Sequence, residues 1–182
     1  MHFDEGFIER CLNNDSKAQG ELYKHYAPRM FGICLRYAKN QMEAEDVLQE
    51  GFIKVFRYLK DYRNEGSLEG WIRKTMVNTA INFYKKKSKY LKDISLEQSE
   101  PINHDEESAL DALSAKELLE VIRELPDGYR MVFNLNVIEG YTHKEIGEML
   151  NISENTSKSQ LSRARGVLQE KLKNKVKGVR RK

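Results

Sequence analysis

Residues 139–168 read EGYTHKEIGEMLNISENTSKSQLSRARGVL. Thr142-x-x-Glu145 is a capping-box pattern, in which a hydroxyl and a carboxylate satisfy backbone N–H groups that a helix start leaves unpaired. It opens a short predicted helix through Leu150. Residues 151–153 make a turn, and a longer helix is predicted from 154 to about 173. A short capped helix, a three-residue turn and a basic second helix form the outline of a helix-turn-helix. At about 100° per residue, Ser157, Leu161, Ala164 and Leu168 fall on one stripe directed at a core. The opposite face carries Asn155, Lys158, Ser159 and Ser162, with Arg163 and Arg165 on its edges. Small hydrogen-bonding groups mixed with long cations suit base edges and phosphates in a major groove; a solvated basic face is the plainer alternative. Ser157 puts a hydroxyl in the buried stripe and is expected to bond back to the Ser153 carbonyl.

Outward from this stretch the pattern stays helical. Ser114-x-x-Glu117 is a second capping box, ahead of Leu118, Leu119, Val121, Ile122 and Leu125, and Pro126 ends that helix. Residues 129–138 form the next helix, ended near Gly140, and the tail KNKVKGVRRK is basic and expected to fray. Upstream, residues 91–113 hold Pro101, seven acids and few large apolar side chains, the composition of a mobile linker. In the N-terminal half, Phe7, Ile8, Cys11 and Leu12 mark a first helix. Ser16 is the expected cap of a second, which carries Leu22, Tyr23, Tyr26, Met30, Phe31, Cys34 and Leu35, with a kink or break at Pro28. A third helix is predicted over 43–59, a loop with Gly66 over 60–67, and a fourth helix over 68–89. Apolar residues recur at helical and not strand spacing. The predicted fold class is all-α: two small helical domains, 1–90 and 114–182, joined by a flexible acidic linker, 91–113, the C-terminal domain being the helix-turn-helix.

Two faces of the N-terminal half carry further candidates. The fourth helix has an apolar arc of Leu68, Ile72, Thr75, Met76, Thr79 and Phe83. Beside it runs Trp71, Lys74, Asn78, Asn82, Lys85 and Lys89, with Lys86 in the terminal lysine run. An indole, two carboxamides and a line of ammonium groups suit a nucleic-acid track with a stacking or wedge residue at one end, although a lone tryptophan is also a common core residue. On the third helix, Leu48, Phe52, Val55, Phe56 and Leu59 make the core stripe. The other side shows Asp46, Gln49, Glu50 and Arg57 around Ile53. A branched apolar residue amid polar ones is either a protein-contact anchor or an ordinary exposed isoleucine.

Composition narrows the classes. The 182 residues carry 31 Lys+Arg against 28 Asp+Glu, a net charge of +3. Divided along the chain, residues 1–90 carry +4, 91–115 carry −6 and 116–182 carry +5. Two basic blocks flank an acidic connector, a pattern of tails or partner surfaces; acids placed between two nucleic-acid-binding blocks also discourage non-specific binding. Cys11 and Cys34 have neither metal-ligand nor redox spacing, and the four histidines are scattered, so a disulfide scaffold, a zinc module and a metal cofactor are not expected. No apolar stretch approaches the roughly 20 residues of a membrane span, and the N-terminus MHFDEGFIER is acidic where a signal peptide is basic. The expected protein is cytoplasmic and not membrane-embedded. No phosphate-binding glycine loop, nucleophile elbow or paired metal-ligand histidines are present, so neither an enzyme nor a small-molecule substrate is expected.

Met42–Leu59 (MEAEDVLQEGFIKVFRYL), followed by Trp71-Ile72, Asn78 and the basic cluster, resembles the N-terminal conserved domain of extracytoplasmic-function (ECF) sigma factors of the sigma-70 family. LPDGYRMVF, EGYTHKEIGEMLNIS and NTSKSQLSRARGVL, between 125 and 168, resemble the C-terminal domain of the same family. The resemblance covers most of the chain in the right order. It implies a protein without chemistry of its own that binds core RNA polymerase and directs it to promoter DNA. Asp46, Gln49, Glu50 and Ile53 would dock on the clamp helices of the largest polymerase subunit. The 60–67 loop and the fourth helix, through Trp71, Lys74, Asn78, Asn82, Lys85, Lys86 and Lys89, would recognise the minus-ten element and hold a flipped base. Asn155, Lys158, Ser159, Ser162, Arg163 and Arg165 would read the minus-thirty-five element, and the linker would thread towards the RNA exit path. Relatives of this kind are often held by an anti-sigma factor. The family often has Asp at the position of Asn82, Arg at Lys85 and a β-branched apolar residue at Ser157; lysine in place of arginine removes a bidentate fork. The other readings are a one-component helix-turn-helix regulator acting without polymerase, and an RNA-binding or assembly protein using both basic blocks.

Overall fold

The computed structural model describes residues 3–92 and 115–179, and every regular element among them is a helix. The predicted linker, 91–113, lies outside the described residues except for its first two positions, as does Ser114 of the second capping box. The chain divides into two compact units, Met1–Phe83 and Tyr84–Lys182.

The first unit begins with α1, Glu5–Leu12, capped by the Asp4 carboxylate on the Phe7 N–H at 2.8 Å. Helix α2, Ser16–Tyr37, is capped by Asp15 and not by Ser16: the carboxylate accepts from the N–H groups of Lys17 and Ala18. It also meets the Arg10 guanidinium at 2.7 Å, which holds its pKa below the ordinary value. Ionised and at the N-cap, with an extended backbone that turns its carboxylate onto the first free N–H groups, Asp15 is the better acceptor. Pro28 does not break α2, which is continuous across it. Helix α3, Gln41–Tyr58, starts two residues earlier than expected because Asn40 caps the Glu43 N–H at 2.8 Å. A short 3-10 turn, Leu59–Asp61, precedes the loop, and α4 covers Leu68–Lys92.

The core of this unit holds Leu22, Met30, Val47, Val55, Leu59, Ile72 and Met76, all essentially without exposure. Each such side chain is worth about 1.5–3 kcal/mol when fully buried. The buried arcs are wider than the expected stripes. Ala44, Val47 and Gly51 join α3's buried side; Val77, Ala80 and Ile81 join α4's; Phe56, Thr75 and Phe83 are only half-buried. Gly51 explains how α3 and α4 approach. A Cβ there would sit 2.2 Å from the Met76 Sδ, so the thioether fills the space a side chain would take.

In the second unit, α5 covers Ala115–Arg123 and α6 covers Asp127–Phe133. The predicted 129–138 helix is instead α6 followed by a π-helical turn over Asn134–Ile138. Asn134 is fully buried there and donates its Nδ2 to the Arg130 carbonyl at 2.8 Å. Helix α7, His143–Leu150, and α8, Glu154–Val179, complete the unit. Helix α8 runs on through most of the tail expected to fray. The core is built by Val121, Ile122, Leu125, Ala164, Leu168 and Leu172, with Leu118, Tyr129, Phe133 and Val167 packed on it.

Candidate functional site

The geometry of α7 and α8 is fixed by their turn. The Thr142 hydroxyl accepts from the Glu145 N–H while the Glu145 carboxylate accepts from the Thr142 N–H at 2.8 Å, so the capping box is complete. These bonds hold the Glu145 pKa below its ordinary value. Asn151 adopts a left-handed conformation, φ 56°, at the end of α7, a position that asparagine tolerates. The Ile152 N–H returns to the Gly147 carbonyl at 3.0 Å. Gly147 has no alternative here, since a Cβ would lie 2.8 Å from the Ile152 carbonyl oxygen. Ser153 caps α8 through the Thr156 N–H at 2.9 Å.

On α8 the expected stripe of Ser157, Leu161, Ala164 and Leu168 is buried. Asn155, Lys158, Ser159, Ser162 and Arg165 are exposed and Arg163 is half-buried. Ser157 corrects one expectation. Its hydroxyl lies 2.9 Å from the His143 Nδ1, joining α8 to the first residue of α7, and only its backbone N–H bonds to the Ser153 carbonyl. A histidine fourteen residues upstream was the signal for this pair, legible only once the two helices are packed. Lys158 is held by Glu154 one turn earlier, Nζ to Oε1 2.6 Å, and that bond lowers the Glu154 pKa.

On α4, Lys74, Asn78, Asn82 and Lys86 are exposed and Trp71 and Lys85 half-buried; the side chain of Lys89 lies outside the described residues. Residues 71 to 85 span about 21 Å of helix. Trp71 is neither core nor free: its ring packs on Tyr62, centroids 5.9 Å apart. Ser67 caps the helix by accepting the Gly70 N–H at 3.1 Å. The loop before it faces a groove of about 780 Å³ shared with α1, lined by Phe3, Ile8, Tyr26, Tyr62, Asn64 and Ser67 among others.

On α3, Asp46 and Gln49 are exposed and Ile53 keeps 52% of its surface in solvent. Glu50 is half-buried and ion-paired with Lys54 at 2.8 Å, and the Lys54 ammonium also reaches the buried Thr79 hydroxyl of α4 at 3.3 Å. Glu50 is thus partly engaged inside the fold. Met42, 69% exposed, continues the line of Asp46, Gln49 and Ile53 at helical spacing. It sits in the first turn of α3, outside the polar cluster around Ile53, so sequence spacing alone does not mark it.

Comparison with known proteins is consistent across both units. A family profile described as Sigma-70 region 2 matches residues 22–90, and one described as Sigma-70, region 4 matches 115–168, together more than half of the chain. The chain belongs to the ECF branch of the sigma-70 family. It is 26% identical over 180 residues to an ECF RNA polymerase sigma-E factor of Haemophilus influenzae, covering 93% of this chain and 95% of that protein. It is 27% identical to RNA polymerase sigma-H factor of Pseudomonas aeruginosa, with 93% of each covered. In fold it is similar to the sigma factor RpoE of Bartonella quintana, solved with the anti-sigma factor NepR: TM-score 0.50, 20% identity, 85% of this chain and 96% of that one. The matched residues of region 2 include α3, the loop and α4 as far as Tyr90, and those of region 4 include α7, the turn and α8 as far as Leu168.

Proposed function

We propose that this sigma factor binds core RNA polymerase, recognises promoter minus-ten and minus-thirty-five elements and directs transcription initiation, without catalysing a reaction itself and working in the cytoplasm. The observation that carries the reading is the coexistence, in one chain and in family order, of an α4 face lined by Lys74, Asn78, Asn82 and Lys86 and a capped helix-turn-helix with a polar, basic outer face. A one-component regulator uses the second and leaves the first unexplained.

Roles follow from chemistry. Asp46, Gln49 and Ile53 form the polymerase-docking line on α3, with Glu50 at its edge; an apolar anchor ringed by polar groups is the usual make-up of an interface hot spot. The domain over 1–90 takes the minus-ten element through the 60–67 loop and the stripe Trp71, Lys74, Asn78, Asn82, Lys85, Lys86 and Lys89. Unstacking a base costs a few kcal/mol, which phosphate contacts along the stripe and polymerase binding offset. The domain over 114–182 reads duplex DNA through Asn155, Lys158, Ser159, Ser162, Arg163 and Arg165, while residues 91–113 connect the two. An anti-sigma factor is the expected regulatory partner, as in the Bartonella complex. The test is reconstitution: the protein, mixed with core polymerase and a promoter library, is expected to yield transcripts with defined starts. Tight operator binding that core polymerase does not alter would contradict the reading.

A further inference from the structure

The loop between the 3-10 turn and α4 is organised by one side chain. The Tyr62 hydroxyl donates to the Gly66 carbonyl at 2.8 Å. The Asn64 amide lies 3.1 Å from the same phenol oxygen; it presents Oδ1, or its nitrogen as a donor after a half-turn of the amide. The enclosed backbone is one that resists forming unaided. Asn64 has φ 58° and Gly66 φ 102°, both left-handed values. No Cβ clash dictates Gly66, since nothing lies within 4 Å of where a Cβ would be, so the turn is held by its φ value and by the phenol. Either end is pinned as well: the Tyr62 N–H bonds to the Leu59 carbonyl at 3.1 Å, and Ser67 caps α4. The Tyr62 ring meanwhile rests on Trp71 and lines the groove shared with α1.

We infer that Tyr62 is a positioning residue for base selection: its hydroxyl presets the 62–67 loop so that the groove and the Trp71 face are formed before DNA arrives. This deepens the minus-ten assignment of the loop and rests on it. The physical basis is preorganisation. If only a fraction of the loop population is competent, apparent affinity for the selected base falls by that fraction. A hydrogen bond of ordinary net strength corresponds to about three- to tenfold in that population. Because both hydrogen bonds of the hydroxyl are made within the loop, to the Gly66 carbonyl and the Asn64 amide, removing it should leave the packed core and polymerase docking in place.

The experiment compares wild type with Tyr62→Phe, which keeps the ring on Trp71 and deletes only the hydroxyl. Both full-length proteins are assembled with core polymerase on a promoter chosen by the wild-type holoenzyme from a randomised minus-ten library, and on single-base variants of that promoter. Expected for Tyr62→Phe are a melting temperature lowered by no more than a few degrees, unchanged core affinity, a three- to tenfold loss of open complex on the chosen promoter, and a flattened preference over the single-base variants. Gly66→Ala, which opposes the same turn through φ, is expected to flatten the preference in the same way. Undiminished discrimination by Tyr62→Phe overturns the inference, as does a lowered melting temperature with discrimination intact. Failure of the wild-type holoenzyme to select any promoter instead overturns the minus-ten reading beneath it, so the two failures are distinguishable.

Discussion

Lys158 shows how a single ion pair bears on the proposed DNA contact. Its ammonium is already paired with Glu154 at 2.6 Å on an exposed helix face, so a phosphate or base must compete with a carboxylate. Replacing Glu154 with Gln releases the lysine and removes a negative charge from the face proposed to meet DNA. Glu154→Gln is expected to tighten binding of promoter-length duplex about threefold or more and to steepen its salt dependence by up to about one counterion; an unchanged affinity and slope in a fluorescence titration would show that Lys158 does not meet DNA. Arg130 illustrates the opposite, a buried cation that serves the fold. It is 3% exposed, donates to the carbonyls of Arg123 and Leu125 and pairs with Asp127, sewing the end of α5 to the start of α6. Arg130→Met is expected to lower stability by about 3 kcal/mol, since it strands two carbonyls and takes one of its two cationic partners from Asp127, read as a shift of the urea midpoint. Cys34 is expected to be chemically silent: burial pushes its thiol up to about 12, so labelling by a thiol reagent at neutral pH should await unfolding.

At the scale of the element, capping governs the pH response. The Asp15, Glu145 and Glu154 carboxyls all have lowered pKa values in the folded chain, through hydrogen bonds to Arg10, to the Thr142 N–H and to Lys158 respectively. A depressed folded pKa contributes stability that is fully present above the unfolded value and lost as pH falls through the folded one. Helix content is therefore expected to hold from neutral pH down to the ordinary carboxylate range and to fall only below it. In a circular-dichroism titration Thr142→Ala, which destabilises by about 1 kcal/mol, should begin that fall at higher pH. The capping box over 142–145 was legible in the sequence because it depends on residues three apart. The helix-turn-helix and its exposed face were legible for the same local reason. What the sequence could not display depends on distant partners. The approach of Gly51 to Met76, the pairing of Ser157 with His143 and the exposure of Met42 each require knowing which helix lies opposite. The choice of Asp15 over Ser16 as the cap turned on an arginine five residues earlier, and α2 absorbs Pro28 within its own length. The π-turn after α6 goes with a buried asparagine that bonds back to the Arg130 carbonyl, a local bond whose burial the sequence did not display.

For the whole molecule, the charge division of +4, −6 and +5 matters more than the total of +3. Two modestly basic blocks with an acidic stretch between them are expected to bind free DNA weakly, because sequence-independent affinity tracks the number of phosphates neutralised. Promoter affinity should then depend on polymerase holding both domains on DNA at once, where the second contact is made at a high effective concentration. The most direct measurement of this account is a start-site assay on a promoter library with core polymerase, run with the wild type and with Ile53→Asp. Ile53 is half exposed on α3, so the substitution changes a surface and not the core. The account predicts defined transcripts from the wild type, and from folded Ile53→Asp no co-purification with core polymerase and no specific starts. Specific starts from Ile53→Asp at the wild-type level would contradict the docking face, and an absence of specific starts from the wild type would contradict the function itself.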